Sequence, residues 1–568
     1  MASQRYIPVA QRKQSELNAA IPQEWRLPSD LIPAGMLSIA KSVSDPKYER
    51  VSVMDVPRKC GLLTPQELEF TENFNVRALV AEMSEGRAKA EDVVRAFCKR
   101  ARDLDDYLQR TGKPIGPFHG LPVSVKDTFN IQGVDSSIGL SALAFQPAGE
   151  NAPLVDLLQS LGAVIIAKTN IPQTLGTLDS ANHLFGRTLN PLNRQWTAGG
   201  STGGEGALLA MRGSMVGFGT DIGGSIRVPA MCQGLYGFKP STGRVPFGGQ
   251  QNGQIEGKGR IGLQAVAGPL ARSVADIDAV MAEIVPRAEL FGEDGIPGLW
   301  SAPPTSRSFT VGVLKTDGLV TPLPPILRIL DEVAETLRRT PGVEVVEIPL
   351  PSVLPKCQGL AGRLMGVDDG SHMLDLIEGM DENLIPWLQG RLKRGKALDV
   401  TQLARLQAQR AEVEKEMMKM WTLSSSSPTR RVDAIICPIA PHPVPEIDRY
   451  NAVGWTSTFV LLDYPAGVVP VRPLQESDLE SGRPMEQPVL GSWDKANRNL
   501  CKFPTPDLWD LLIDFASGDE KTVDRRVYLG SPLSVQVVTP KQHDYGLFRA
   551  MELVDRAVQG GASLTAKL

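Results

Sequence analysis

The sequence predicts an α/β protein built on a parallel or mixed β-sheet covered by helices. Three observations carry this expectation. DLLQSLGAVIIAKTN (156–170) reads as a helix, a glycine stop and a strand, the unit from which helix-covered sheets are built. The same order returns late in the chain, where FTVGVL (309–314) and VEVVEI (343–348) are strand patterns flanking the helical pattern PPILRILDEVAETLRR (324–339). No linker interrupts the alternation after residue 76, so one large domain is expected. The length of 568 residues alone would allow three or four domains at roughly 150 residues each.

The elements follow in order. Residues 1–75 are rich in proline and broken into short amphipathic pieces, which predicts a helical arm packed on a main domain spanning 76–568. NVRALVAEMSEGRAKAEDVVRAFCKRARDLDDYLQR (75–110) alternates apolar and charged residues at helical spacing and predicts two helices. In FHGLPVSVKDTFN (118–130) the apolar run Leu121–Val125 fits a buried strand ending at Lys126. Residues 357–422 are helical in pattern and DAIICPI (433–439) is a strand. LSVQVV (533–538) and QHDYGLFRAMELVDRAV (542–558) supply a last strand and helix.

Composition excludes several function classes. A net charge of −4 gives no basic footprint for nucleic acid. The six cysteines (Cys60, Cys98, Cys232, Cys357, Cys437, Cys501) form no C-x-x-C pair and have no metal-ligand spacing to a histidine, so reduced, buried thiols and no metal are expected. The N-terminal stretch is polar where a signal peptide is apolar, and the longest apolar run, WTSTFVLLDYPAGVVPV (455–471), is broken by Asp463 and two prolines. No membrane span is expected, and the cytoplasm is the expected location. The final Ala566-Lys567-Leu568 is close to a peroxisomal import tripeptide and makes the peroxisome the alternative.

The chemistry centres on AGGSTGGEGALLAMRGSMVGFGTDIGGSIR (198–227), where Ser201 and Ser225 each sit among glycines. Gly199–Gly203 satisfies the G-x-S-x-G pattern of a nucleophile elbow, but that turn needs a strand before it, and NPLNRQWTA (190–198) has no strand pattern. A hydrolase of that type would take its base from His372, His442 or His543, which follow the serines. A P-loop would need a lysine after the glycines, and a Rossmann turn would need the missing strand. The plainest reading makes Ser201 the cap of the helix GEGALLAMRG (204–213).

Three elements together point elsewhere: Lys126 at a strand end, Ser201 in GGSTGGE and Ser225 in DIGGSIR, with steps of 75 and 24 residues between them. With VSVKDTFNIQGVDSSIGL (123–140), TNIPQT (169–174), HLFGRTLNPLN (183–193) and GLYGFKPSTGRVP (234–246), the chain resembles the amidase signature family. IPQEWRLP (21–28) and CGLLTPQELEFTE (60–72) are similar to fungal acetamidase-type members. The resemblance implies one large mixed sheet with helices on both faces, and a cofactor-free amidohydrolase that forms an acyl-enzyme on a small carboxamide. Ser225 would be the nucleophile, Ser201 the bridging serine on a cis peptide bond and Lys126 the base. A lysine acts as a base only when neutral, which requires its pKa to fall by about 3 units, or roughly 4 kcal/mol.

The backbone N–H groups of Ile222, Gly223, Gly224 and Ser225 would form the oxyanion hole, with Asp221 and Arg227 bracing that loop unless they are an ordinary surface ion pair. Thr202 would keep a supporting hydrogen bond, and Leu175, Gly176 and Thr177 would line the acyl pocket. Cys232 is expected to be a buried structural thiol. Residues 357–422 are expected to shape the substrate pocket, and homodimerisation is left open. The alternatives are acyl transfer or amidotransferase-type use of the same triad, including a role in secondary metabolism, and a catalytically silent scaffold.

Overall fold

Ten strands form one mixed sheet: β1 (Pro122–Lys126), β2 (Val164–Thr169), β3 (Val216–Asp221), β4 (Tyr236–Lys239), β5 (Val266–Ala271), β6 (Phe309–Val313), β7 (Val343–Glu347), β8 (Ala434–Cys437), β9 (Ala466–Pro473) and β10 (Pro532–Val538). The computed structural model describes residues 4–20, 23, 52, 54–97, 114–255, 257–301, 308–422, 431–447, 453–480, 485, 487–500 and 525–560. Across the sheet the order is β2-β1-β3-β5-β4-β9-β10-β8-β6-β7. Pairing is parallel at both ends, among β2, β1 and β3 and among β8, β6 and β7, and antiparallel between them. The mixed, helix-covered sheet expected from the sequence is therefore present.

Helices cover both faces because the strands alternate apolar side chains to each. On β8, Ile436 joins the core that holds Ile329, Val333, Leu547 and Met551 of the helices Pro324–Arg338 and Asp544–Val558. Its neighbour Ile435 points the other way, into the core built on Leu360, Leu364, Trp455 and Phe459 of the helices Leu354–Met365 and Gly454–Leu461.

The helix–glycine–strand unit at 156–170 becomes the helix Pro153–Ser160 followed by β2. Of the two helices expected over 75–110, Val76–Ser84 and Ala90–Phe97 form, and residues 98–110 lie outside the described residues. Four strands of the middle of the sheet, β3, β4, β5 and β9, were not foreseen, because glycine and proline break up their apolar runs. In β3 the glycines are a consequence of close packing. A Cβ on Gly217 would run into the Glu205 carboxyl, and one on Gly219 into Thr202.

The N-terminal helix Tyr6–Ala20 is tied to the body by polar contacts. Arg5 pairs with Asp381 at 2.8 Å, Lys13 with Asp135 at 2.8 Å, and the Gln14 amide donates to the Leu184 carbonyl. Most of IPQEWRLP, Cys98, Cys501 and Ala566-Lys567-Leu568 lie outside the described residues. Among the described residues no helix is long and apolar enough to cross a membrane.

Candidate active site

Lys126 ends β1, which lies between β2 and β3, so its side chain projects from the interior of the sheet and is fully buried. Its Nζ donates to Ser201 Oγ at 2.8 Å and to Thr220 Oγ1 on β3 at 2.8 Å. Burial lowers its pKa to about 7, against the opposing fields of Asp221, Glu205 and Asp127. The lysine can therefore be neutral near neutral pH.

The Gly200–Ser201 peptide bond is cis. Several groups hold this turn. Gly200 packs against the backbone of residues 177–179, Ser180 Oγ donates to the Gly199 carbonyl at 3.0 Å, and the Gly199 N–H donates to Thr197 Oγ1 at 3.0 Å. The plain reading of Ser201 as a helix cap fails here. The helix starts at Gly203 after Thr202, neither the Thr202 nor the Ser201 side chain caps it, and its first N–H groups donate to Ser180 Oγ and the Asn170 carbonyl. Ser201 is left to face Lys126. The Thr202 hydroxyl reaches the Thr220 carbonyl only at 3.5 Å, a long contact, so the support expected from it is weak.

Ser225 lies in the turn between β3 and the helix Arg227–Gln233, 7% exposed, and its hydroxyl has no hydrogen-bond partner among the described residues. Asp221 and Arg227 are fully buried and meet through two contacts, Nη2–Oδ1 at 2.9 Å and Nε–Oδ2 at 3.0 Å, so the surface-pair alternative is wrong. Arg227 also donates to the Thr456 carbonyl at 2.8 Å and to Gln536 Oε1 at 2.7 Å. These bonds pin the loop between β3, β10 and the helix Gly454–Leu461.

The oxyanion-hole expectation needs one correction. The Gly224 N–H donates to Asp221 Oδ1 at 2.8 Å and so is already engaged within the loop. Among the described residues no group accepts from the N–H of Ile222, Gly223 or Ser225. Gly224 has φ +125°, and a Cβ there would collide with Thr456, whose hydroxyl donates to the Gly223 carbonyl at 2.5 Å.

Leu175 ends a short 3-10 turn, Gln173–Leu175, in which Thr174 and Leu175 both have left-handed φ, 66° and 60°, and Gly176 follows it. Gln173 anchors this turn: its amide donates to Glu382 Oε1 at 2.8 Å and to the Asn383 carbonyl at 3.0 Å, and its Oε1 accepts from the Ile385 N–H at 3.0 Å. Leu388 packs beside Gly176. The segment 380–388 therefore supports the Leu175 turn, and the residues after that turn, Thr177–Asp179, lie against Gly200.

Thr220, Glu205, Thr456 and Gln536 escaped the sequence reading. Glu205 had a visible signal, being the single charge in GGEGALLA. Gln536 is likewise the one amide in the strand LSVQVV. Among the histidines considered as bases, His442 is fully buried, with Nδ1 2.8 Å from the Pro443 carbonyl and its pKa lowered by burial to about 4. Cys232 is fully buried and burial raises its thiol pKa, as expected of a structural cysteine.

A model of the family described as Amidase matches residues 75–548. An acetamidase of Aspergillus oryzae is 32% identical over 504 residues, covering 83% of this chain and 88% of that protein. An acetamidase of Emericella nidulans is 30% identical over 563 residues, covering 93% and 94%. Among solved structures, a fatty acid amide hydrolase superposes with a TM-score of 0.80 at 25% identity, over 97% of this chain and 95% of that one.

Proposed function

This chain belongs to the amidase signature family and is a hydrolase acting on amides, and from that premise we propose that it cleaves a small carboxamide through an acyl-enzyme on Ser225. Neutral Lys126 takes the proton of Ser201 as Ser201 takes that of Ser225, whose oxygen attacks the amide carbonyl. The N–H groups of Ile222, Gly223 and Ser225 stabilise the oxyanion, a contribution of about 3–4 kcal/mol per donor in a well-studied hydrolase. The proton returns through Ser201 to the departing ammonia or amine. Water then attacks the ester by the same relay, and the sum is amide plus water to acid plus amine.

The observation that carries this reading is the placement of Lys126 Nζ, fully buried and bonded to two hydroxyls at 2.8 Å. Desolvation of a buried ammonium that is bonded only to hydroxyls outweighs the fields of the nearby carboxyls, which favours the neutral base. The two relatives named acetamidases support a short acyl group, and the family match over 75–548 supports a catalytic domain spanning 76–568, with residues 1–75 as its arm.

Partitioning tests the acyl-enzyme. A primary amide and an anilide of the same acid, each turned over in the presence of hydroxylamine, are expected to give the same ratio of hydroxamate to acid, because both pass through one intermediate. A ratio that depends on the leaving group contradicts the acyl-enzyme. Absence of acid without added amine would make the protein a transferase.

A further inference from the structure

The fields of three carboxyl groups act on Lys126, and the groups differ in what neutralises them. Asp221, at the end of β3, is paired with Arg227 at 2.9 Å, and Asp127, next to the lysine, has Lys168 at 3.7 Å. Glu205, on the first turn of the helix Gly203–Ala210, has no such partner among the described residues. Its Oε1 accepts from Thr169 Oγ1 at 2.7 Å, its Oε2 lies 2.5 Å from Ser124 Oγ, and the charge that acts on it is that of Lys126.

The placement is built into the sheet. Ser124 is on β1 two residues before Lys126, Thr169 on β2 is the register partner of Lys126, and Gly217 on β3, opposite Ser124, leaves the space the carboxyl fills. Both groups are fully buried. Either charge alone is costly there, so ionisation of one favours ionisation of the other.

We propose that Glu205 is a positioning residue for the base: its carboxylate supplies the compensating charge when Lys126 becomes an ammonium during acylation. The inference rests on the reading of Lys126 as base. No proton needs to reach Glu205, since the transferred proton moves from Ser225 through Ser201 to Nζ. Burial raises the Glu205 pKa to about 8, so the carboxylate is within reach of the pH range in which the lysine is neutral.

Glu205→Gln keeps the shape and can still bond both hydroxyls, but carries no charge. The acid limb of kcat/KM is expected to move down by about one pH unit or more, because the ammonium loses its partner, and the plateau kcat to fall about tenfold or more. A purely structural role would leave the pH profile in place. Ser124→Ala and Thr169→Val each remove one hydroxyl that favours the carboxylate, and are expected to move the limb in the same direction by less. These two variants carry the test if Glu205→Gln does not fold. An acid limb that superposes on that of the wild type, in Glu205→Gln or, failing its folding, in both hydroxyl variants, overturns the proposal. Lys126→Ala separates the two readings: if it keeps wild-type activity, the assignment of the base fails, whereas an inactive Lys126→Ala beside an unmoved Glu205→Gln profile sinks only the role of Glu205.

Discussion

Lys126→Ala is expected to lower kcat/KM about ten-thousand-fold or more, the scale seen when one member of a coupled nucleophile–base unit is removed. The wild-type rate should rise with pH through about 7, the pKa to which burial brings the lysine, and level off above it. The sign follows from the role: below that pH Nζ is an ammonium and has no lone pair to accept a proton. Lys126→Arg should be as inactive as the alanine variant, because a guanidinium stays charged throughout this range. Steady-state kinetics from roughly pH 5 to 9, with melting curves to verify folding, measure both effects. A rate that stays flat across that range in the wild type, or an active arginine variant, contradicts the assignment.

The largest stability effect is expected at Arg227. Its guanidinium is fully buried, clasps Asp221 through two contacts and also holds Gln536 and the Thr456 carbonyl. Arg227→Met leaves the Asp221 carboxylate in the interior without its counter-charge, at a cost of about 3–5 kcal/mol. Asp221 also accepts from the N–H groups of Gly224 and Ile226, so activity should fall with stability as the loop carrying Ser225 loosens. Adding Asp221→Asn to Arg227→Met removes the stranded charge and should recover part of the loss. Urea unfolding midpoints of the wild type, the single and the double variant measure this, and a single variant within about 1 kcal/mol of wild type would contradict it.

What the sequence could convey divides along physical lines. Strands whose apolar residues run unbroken were legible: the AIIC of β8 is buried throughout, which writes itself as continuous hydrophobicity, and the VIIA of the half-buried edge strand β2 is as unbroken. β3 was not, since Gly217 and Gly219 interrupt it for the sake of Glu205 and Thr202, whose positions only the folded chain reveals. At the site, Lys126, Ser201 and Ser225 were found through motif resemblance. Their supports were not: Ser124 and Glu205 are 81 residues apart, and Arg227 and Gln536 are 309 apart. The reversal at Gly224 turned on an N–H direction that a row of glycines does not encode. The carboxylate that claims it is Asp221, three residues earlier.

The division of labour between the two serines is tested most directly by mapping a covalent adduct. After reaction with a fluorophosphonate, peptide mass spectrometry of the wild type is expected to place the phosphonyl group on Ser225. Ser225→Ala should not be labelled, and Ser201→Ala should be labelled slowly and still on Ser225. Labelling that persists in Ser225→Ala and vanishes in Ser201→Ala would make Ser201 the nucleophile and contradict the account.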